Sequence, residues 1–287
     1  MCRCLNAVTS ARFSREAYQF DQQYSILLLL LSNGNLMGQV IAVFNQSGGV
    51  GKSTLTMNLG YHLAQRKKKV LLVDMDPQAS LTVFMGLEPS DLDKTIYESV
   101  MASEPLPIHT DLHGVDLVPA NINLSGAELE LVVADMRDYR LKEALSAVVD
   151  KYNFIFIDCP PSLGILSYIS LVAATHVLIP IQTQYKALKG TELLLSTIAR
   201  VRSRANKTLS VAGVVPTMHE ARTVQGVMSL QSIQEQLAKI GTVFPTIPRS
   251  VSFADASQEH VPLALYSPKH PAVPLFNQIA RSLEKMS

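Results

Sequence analysis

The chain has 287 residues, 47% of them hydrophobic, so it can bury a substantial core, and disorder, collagen and a small disulfide scaffold are excluded. Its 25 basic and 24 acidic side chains give a formal net charge of +1, which excludes a uniformly basic nucleic-acid-binding protein and leaves only a local patch for contact with DNA. Three cysteines cannot form a disulfide framework, which indicates a reducing, cytoplasmic setting.

Residues 1–36 have no sustained hydrophobic periodicity and end in a turn-like cluster at Ser32–Asn35. Met37 stands where a domain could begin, so we expect these residues to be either an untranslated leader or a mobile arm, and we favour the leader. The longest apolar stretch, Ile26–Leu31, has six residues, whereas a bilayer span needs about 20. We therefore expect no membrane span and no targeting segment.

From Val40 onward, short apolar runs alternate with amphipathic stretches. Continuous apolar runs are typical of strands covered on both faces. The predicted strands are Val40–Phe44, Val70–Val73, Val115–Val118, Phe154–Ile157, His176–Pro180 and Val211–Val215. The predicted helices are Ser53–Arg66, Gly126–Asp150, Gly190–Ala205, Thr223–Lys239 and Leu275–Lys285. This alternation predicts an α/β fold with a mostly parallel sheet, and one domain over residues 37–287 because no linker interrupts it.

A glycine-rich loop within Asn45–Thr54 follows the first predicted strand and opens the first predicted helix. Glycines let backbone N–H groups approach a triphosphate closely, because a Cβ atom would obstruct that approach. We expect Lys52 on the β and γ phosphates, the Ser53 hydroxyl on Mg²⁺ and Thr54 on the α phosphate. The rest of the predicted ATP-binding loop is Ser47, Gly48, Gly49, Val50 and Gly51. A glycine turn without a ligand is the alternative, but the strand–loop–helix context favours nucleotide binding.

Three aspartates stand at the carboxyl ends of predicted strands: Asp74 and Asp76 after one strand and Asp158 after another. Ligands of open parallel sheets bind beyond these ends, so all three carboxylates should face the phosphates. We expect Asp158, and also Asp74, to hold Mg²⁺ through water. Either Asp76 or Asp74 is the candidate to orient the attacking water, with Lys52 as the third catalytic residue. A helix cap is the alternative role for Asp74.

Together, the glycine-rich loop, the segment Asp74–Gln78 and the segment Asp158–Pro161 resemble the ParA/MinD family of deviant Walker ATPases. The similarity extends from Met37 to near the C terminus. The resemblance implies a doubly wound sheet with helices on both faces, Mg²⁺-dependent hydrolysis of ATP to ADP and phosphate, and an ATP-dependent sandwich homodimer. It also implies a nucleotide contact at Pro248, within Ile247–Arg249.

One position departs from the family pattern. The family has a signature lysine that reaches the partner's nucleotide, and Ser47 occupies its place here. This serine is similar to the loop of the McdA subgroup, ATPases that space carboxysomes along the nucleoid with an adaptor, McdB. We expect Lys186 first, and Lys189 second, to supply the missing cation in trans. A solvated surface lysine is the alternative for both.

The resemblance further implies DNA binding without sequence preference, through Arg222, Arg249 and, more weakly, Lys269; a further family arginine is replaced by Ser252. A basic stretch at a helix end adds Arg200, Arg202, Arg204 and Lys207, for which solvation matched to the helix dipole is the alternative role. The tail Phe276–Ser287 has few and mixed charges, so we expect a docked helix and no membrane contact.

The function that we prefer from the sequence is a cytoplasmic, nucleoid-associated ATPase that dimerises on ATP, binds DNA and positions carboxysomes through hydrolysis stimulated by an McdB-like adaptor. The first alternative is a plasmid or chromosome partition ATPase. The second, from another class, is a metabolic P-loop ligase resembling dethiobiotin synthetase.

Overall fold

The computed structural model describes residues 38–184 and 190–286. In these ranges eight strands form one sheet in the order β3-β4-β2-β5-β1-β6-β7-β8. The strands are β1 (Gln39–Val43), β2 (Val70–Asp74), β3 (His109–Leu112), β4 (Val115–Val118), β5 (Phe154–Asp158), β6 (His176–Gln182), β7 (Ser210–Thr217) and β8 (Thr242–Val243). All neighbouring pairs are parallel except β3 and β4, so the mostly parallel sheet is confirmed.

Helices cover both faces of the sheet. They are α1 (Lys52–Gln65), α2 (Ser80–Phe84), α3 (Ile96–Ala102), α4 (Leu124–Glu130), α5 (Arg140–Ser146), α6 (Ile165–Ala173), α7 (Thr191–Arg204), α8 (Val224–Leu237), α9 (Ser252–Gln258), α10 (Leu263–Tyr266) and α11 (Ala272–Glu284). Within the described ranges, no helix is both long enough and apolar enough to cross a membrane.

Two hydrophobic cores lie on opposite faces of the sheet because successive strand residues point in opposite directions. On β1, Val40 and Ala42 pack into the core beneath α3 to α8. Ile41 and Val43 pack into the core beneath α1, α2 and α9 to α11. The doubly wound arrangement with helices on both faces is therefore confirmed.

The sequence interpretation was wrong over Gly126–Asp150, which is not one helix. The chain leaves the helical conformation at Ala134, whose ψ is 139°, and Met136 adopts a left-handed φ of 54°. Two separate helices, α4 and α5, result. Strands β3 and β8 were not predicted, because β3 is a half-polar edge strand and β8 has only two residues. The expected N-terminal extension, Lys186 and Lys189 lie outside the described residues.

The α1 and α11 helices pack together around the side chain of His62. Its ring stacks on Phe276 at a centroid distance of 6.0 Å and meets Tyr61 edge-on at 5.6 Å. The buried Nε2 atom has no hydrogen-bond partner within residues 38–184 and 190–286, and burial lowers the pKa of His62 to about 4. His62 is therefore a neutral side chain of the core.

This burial makes stability depend on pH. The unfolded chain binds a proton at this histidine below a pKa of about 6.5, whereas the folded chain does so only below about 4. The contribution of His62 to the free energy of unfolding is therefore fully present above pH 6.5 and is lost as the pH falls toward 4. We expect the melting temperature of the wild type to fall more than that of His62→Phe between pH 7.5 and pH 5, as measured by circular dichroism. His109→Phe, at a half-exposed histidine of β3, is the control. Equal falls in melting temperature in wild type and His62→Phe would contradict the pH dependence assigned to His62.

Candidate nucleotide site

The loop between β1 and α1 lies at the centre of the sheet, because β1 has β5 and β6 as its neighbours. Gly49 has a φ of 69°, and Gly51, at the start of α1, has a φ of 86°. These left-handed conformations favour glycine, since a Cβ atom strains them. The loop therefore turns its backbone tightly over the first N–H groups of α1, an arrangement that binds anions.

The side chains of Asn45, just after β1, and of Thr217, at the end of β7, hold the loop in place. Asn45 donates from Nδ2 to the Pro180 carbonyl at 2.7 Å, and its Oδ1 atom accepts from the Ser47 N–H at 2.9 Å. Thr217 donates from Oγ1 to the Val50 carbonyl at 2.9 Å. The sequence analysis did not identify Asn45 or Thr217 as site residues; the available signal was a polar residue at the end of an apolar strand. The loop is thus held in shape by protein contacts alone.

Lys52 is buried inside this loop, and its ammonium group donates to the Ser47 carbonyl at 2.9 Å. Burial lowers the pKa of Lys52, while the charge of Asp158 is the largest influence in the opposite direction. The lysine therefore places a positive charge, poorly screened by water, beneath the loop. The exposed Ser47 contributes no cation at the position where the family has one.

Asp74 at the end of β2 has partners on both carboxylate oxygens. Oδ1 accepts from the Asp76 N–H at 3.0 Å, and Oδ2 accepts from the N–H and hydroxyl of Thr82 at 2.9 and 2.8 Å. Burial raises the pKa of Asp74 to about 6 against these hydrogen bonds. Thr82 in turn accepts from the Ala120 N–H at 3.0 Å. Asp74 therefore ties β2 to α2 and to the end of β4, contacts that agree with the capping alternative.

Asp158 at the end of β5 differs from Asp74, its register partner on β2. Both of its oxygens are buried and make no hydrogen bond of ordinary geometry with the described residues, although the Ser53 hydroxyl lies close enough to favour the charged form. Burial, followed by the charge of Asp74, raises the pKa of Asp158 well above its usual range; the nearby Ser53 hydroxyl and Lys52 act in the opposite direction. A buried carboxylate without partners is costly, and a cation removes that cost.

The acidic side chains do not complete a metal site alone. Among the described residues, no group of three or more His, Cys, Asp or Glu side chains is arranged to hold a metal ion. Magnesium sites in nucleotide-binding proteins commonly use one or two carboxylates, several waters and the phosphates of the ligand. Asp158, with Ser53 beside it, fits such a shared site.

A pocket of about 210 Å³ opens beside the loop. Pro248 lies in its wall and is held there by β7 neighbours: His219 donates its N–H to the Ile247 carbonyl at 3.0 Å and accepts from the Arg249 N–H at 3.2 Å. The lining residues are Val50, Gly51, Thr54, Leu55, Thr217, Met218, Ile247, Pro248, Arg249, Ser250, Phe253 and Phe276. The mixture of apolar walls and a few polar groups is typical of small-molecule sites.

The predicted DNA-contacting residues are exposed, but they differ in their contacts. Arg249 pairs with Glu220 through an Nη1–Oε1 distance of 2.9 Å, with 63% of the arginine side chain exposed. Arg222 and Lys269 are exposed and belong to no ion pair within the described part of the chain. The Glu220 carboxylate therefore weakens the positive potential around Arg249.

Known proteins match this chain over most of its length. The AAA domain family AAA_31 matches residues 38–211. The chain is 39% identical over 251 residues to the sporulation initiation inhibitor protein Soj of Bacillus subtilis, with 86% of this chain and 98% of that protein covered. The chain belongs to the ParA/MinD family of P-loop ATPases. A second ParA/MinD-family relative, the chromosome-partitioning ATPase Soj of Treponema pallidum, is 38% identical, with 86% and 97% covered.

Solved structures agree with the ParA/MinD-family fold. A structure described as cobyrinic acid a,c-diamide synthase from Mycobacterium smegmatis with bound ADP and magnesium is 32% identical, with a TM-score of 0.77 and 87% of this chain and 95% of that chain covered. Apo McdA from Cyanothece has a TM-score of 0.76, covers 85% of this chain and 99% of its own, and is 24% identical. At that identity, the likeness to McdA shows the fold alone.

The unpartnered Asp158 carboxylate should destabilise the protein when nucleotide and metal are removed. Its folded pKa is raised, so this penalty is absent at low pH and grows as the pH rises through the folded pKa. We expect Asp158→Asn to raise the melting temperature in EDTA at pH 7.5, and to raise it less at pH 5, by calorimetry.

The control is Asp116→Asn, at a carboxylate that accepts from the Tyr152 hydroxyl at 2.7 Å and from the Asp111 N–H at 3.0 Å. It should lower the melting temperature, since lost hydrogen bonds cost about 1 kcal/mol each. A fall in melting temperature for Asp158→Asn at both pH values would contradict the prediction that the buried Asp158 charge destabilises the nucleotide-free protein.

Proposed function

We propose that this chain is a Mg²⁺-dependent ATPase of the chromosome- or plasmid-partition type, which forms a homodimer on ATP and in that state binds DNA without sequence preference. The observation that carries the proposal is the buried Asp158 carboxylate, which makes no hydrogen bond of ordinary geometry with the described residues and lies near Lys52 and Ser53 of the P-loop. A nucleotide-driven switch needs a site that is complete only when the nucleotide is bound, because a ligand shifts a protein toward the conformation or oligomer that binds it better.

ATP and Mg²⁺ are the proposed ligands. A neighbour at 32% identity is described with bound ADP and magnesium, which supports both. Residues Ser47 to Thr54 are suited to the phosphates, and Pro248 lies in the pocket suited to the nucleoside. Ser53 would hold Mg²⁺ directly and Asp158 through water; Asp74 is a weaker candidate for a water-mediated contact, because both of its oxygens already accept hydrogen bonds. Bound Mg²⁺ supplies neutralisation of the developing charge on the phosphate oxygens.

Asp76 is the proposed water-orienting residue. Asp74 has partners on both oxygens, whereas Asp76 accepts through Oδ1 from the Gln78 N–H at 3.0 Å. Asp76 is buried, and its charge acts on Lys52 and Asp158, so its carboxylate lies near the phosphate loop. Lys52 contributes by stabilising the charge of the transferred group.

Partition is better supported than carboxysome positioning. The relatives at 38–39% identity include proteins named for chromosome partition and for inhibition of sporulation. McdA shares the fold at 24% identity, which supports no particular cargo. We therefore place the protein in the cytoplasm at the nucleoid, with an adaptor protein that stimulates hydrolysis as its partner. Lys186 remains the proposed cation in trans for the position of Ser47.

A metabolic ligase is the second candidate, since the neighbour at 32% identity is described as a diamide synthase. A ligase of that kind turns over ATP when its small-molecule acceptor is present and needs no DNA. Steady-state ATP hydrolysis with and without duplex DNA separates the two classes.

Asp76→Ala should lower ATP hydrolysis by about a hundredfold, the usual order for loss of a proton-accepting or water-orienting group. ATP affinity should change little, because the loop and Lys52 are intact. The variant should accumulate as an ATP-bound dimer, as measured by light scattering. Asp91→Ala, at an exposed aspartate outside the site, is the control. Undiminished hydrolysis by Asp76→Ala, or a monomer under all nucleotide conditions, overturns the proposal.

Arg222→Glu should abolish the ATP-dependent increase in DNA co-sedimentation and leave ATP binding unchanged, because Arg222 is exposed and outside the pocket. Lys94→Glu reverses one charge at an exposed lysine that pairs with Glu104 outside the pocket, and it should leave DNA co-sedimentation unchanged. If both variants keep the ATP-dependent increase, Arg222 is not part of the DNA surface.

A further inference from the structure

The helix α4 has an apolar face that no other part of the described chain covers. Its inner face packs into the core, where Leu124, Ala127 and Leu131 are buried. On the outer face, Leu129 is 78% exposed, and Val133, in the 3₁₀ turn that follows α4, is 86% exposed. The helix therefore carries apolar side chains on two faces, and the fold uses only one of them.

Further exposed apolar side chains extend this outer face along the chain. Large apolar side chains scattered singly over a surface are ordinary, whereas a group of them in one short segment marks an interaction site. The segment Ile122–Met136 contains such a group. We call its members the α4 ridge: Ile122, Leu129, Val132, Val133 and Met136.

Acidic side chains border the α4 ridge. A helix turns by about 100° per residue, so Glu128 and Glu130 lie on opposite sides of the ridge. Asp135 follows α4 and is exposed. None of these three carboxylates forms an ion pair with a cation of residues 38–184 or 190–286. Glu130 accepts from the Tyr97 hydroxyl at 3.2 Å, a hydrogen bond that leaves its charge in place.

The arginines next to the ridge are bound to the chain's own backbone. Arg137 donates to the Val132 carbonyl and pairs with Asp138 at 3.6 Å. Arg140 donates from Nε to the Asp135 carbonyl at 3.3 Å. The unpaired charge that borders the ridge is therefore negative.

The α4 ridge lies beside elements of the nucleotide site. The helix α4 follows the carboxyl end of β4, at the edge of the sheet where the phosphate loop lies. Glu128 Oε1 is so close to Gly164 that a Cβ atom at this glycine would lie 2.8 Å from it. Gly164 precedes α6, in the segment that follows Asp158. A partner on the ridge therefore contacts a helix that touches the Asp158 segment.

The charge of the border decides which partner fits the ridge. Duplex DNA and anionic lipid both present phosphates, which the carboxylates repel. A second copy joined through a two-fold axis would place the ridge against itself and oppose its own carboxylates. A protein helix with apolar side chains on one face and lysines or arginines beside them matches both parts of the surface.

We propose that the α4 ridge docks a basic, amphipathic helix of a protein partner. Leu129 and Val133 bury their side chains against the apolar face of that helix, and Glu130 and Asp135 pair with its cations at the border. The inference rests on the proposed function, since it gives the adaptor that stimulates hydrolysis a surface beside the Asp158 segment.

The test measures the fluorescence anisotropy of a labelled peptide of about 18 residues, with leucines on one helical face and lysines on the other. The full-length protein is titrated with Mg²⁺ and a slowly hydrolysed ATP analogue in about 50 mM salt, where charges are weakly screened. We expect saturable binding by the wild type. Leu129→Ser/Val133→Ser should lower the affinity about tenfold or more, because both side chains lose apolar contact. Val224→Ser/Val227→Ser, at exposed residues of α8, is the matched control and should bind as the wild type does.

The role of charge is tested by a second pair of variants. Glu130→Gln keeps an acceptor for Tyr97 and removes the charge, so it should lower the affinity about threefold in low salt and not at about 1 M salt. Glu235→Gln is its control, at an exposed glutamate of α8 that accepts from Gln231 Nε2 at 2.8 Å. A peptide with glutamate in place of each lysine should not bind.

The other outcomes are also decisive. Full affinity in Leu129→Ser/Val133→Ser, or equal binding of the glutamate peptide, overturns the proposal. A changed mass of that variant in light scattering, with no peptide binding by the wild type, assigns the ridge to a contact between copies. Retention on anionic vesicles without peptide binding assigns it to a membrane, and both results overturn the proposal. If the wild type binds the peptide through the ridge but hydrolyses no ATP, the proposed ATPase function fails and the docking surface stands.

Discussion

The nucleotide site depends on the buried carboxylate of Asp158, which makes no hydrogen bond of ordinary geometry with the described residues. Packing the apolar strand β5 between β1 and β2 places this group under the phosphate loop, where water does not reach it. The neighbouring aspartate, Asp74, meets the same burial with three hydrogen bonds from Asp76 and Thr82. Asp74 and Asp158 are register partners with different roles. The carboxylate of Asp74 stabilises the fold, whereas that of Asp158 lacks a counter-charge.

The parts of the fold that follow from local pattern were predictable from the sequence. Continuous apolar runs identified the six central strands, and the glycines of the loop marked its left-handed turns. The break at Met136 was not predictable, because nothing in its residue type requires a positive φ and its side chain is exposed. The edge strand β3 was missed because none of its four residues is buried and three of them are polar.

The site was predictable to the extent that it lies in one short segment. The loop residues are adjacent in sequence, and the aspartates directly follow strands. Asn45 and Thr217 were missed because their role depends on bonds between residues 135 and 167 positions apart. The distinction between Asp74 and Asp158 likewise required knowledge of which oxygens are occupied. Assigning cargo from Ser47 alone was weaker still, since one exposed side chain says little about a partner surface.

The hydroxyl of Thr217 has a consequence for ligand selection. This residue touches the phosphate loop through Val50 and also forms part of the pocket wall, so one strand end participates in both halves of the site. Adenosine alone, or pyrophosphate alone, occupies one side of this shared element, and each loses its own translational and rotational freedom on binding. A joined molecule loses that freedom once, so its free energy of binding exceeds the sum of its fragments.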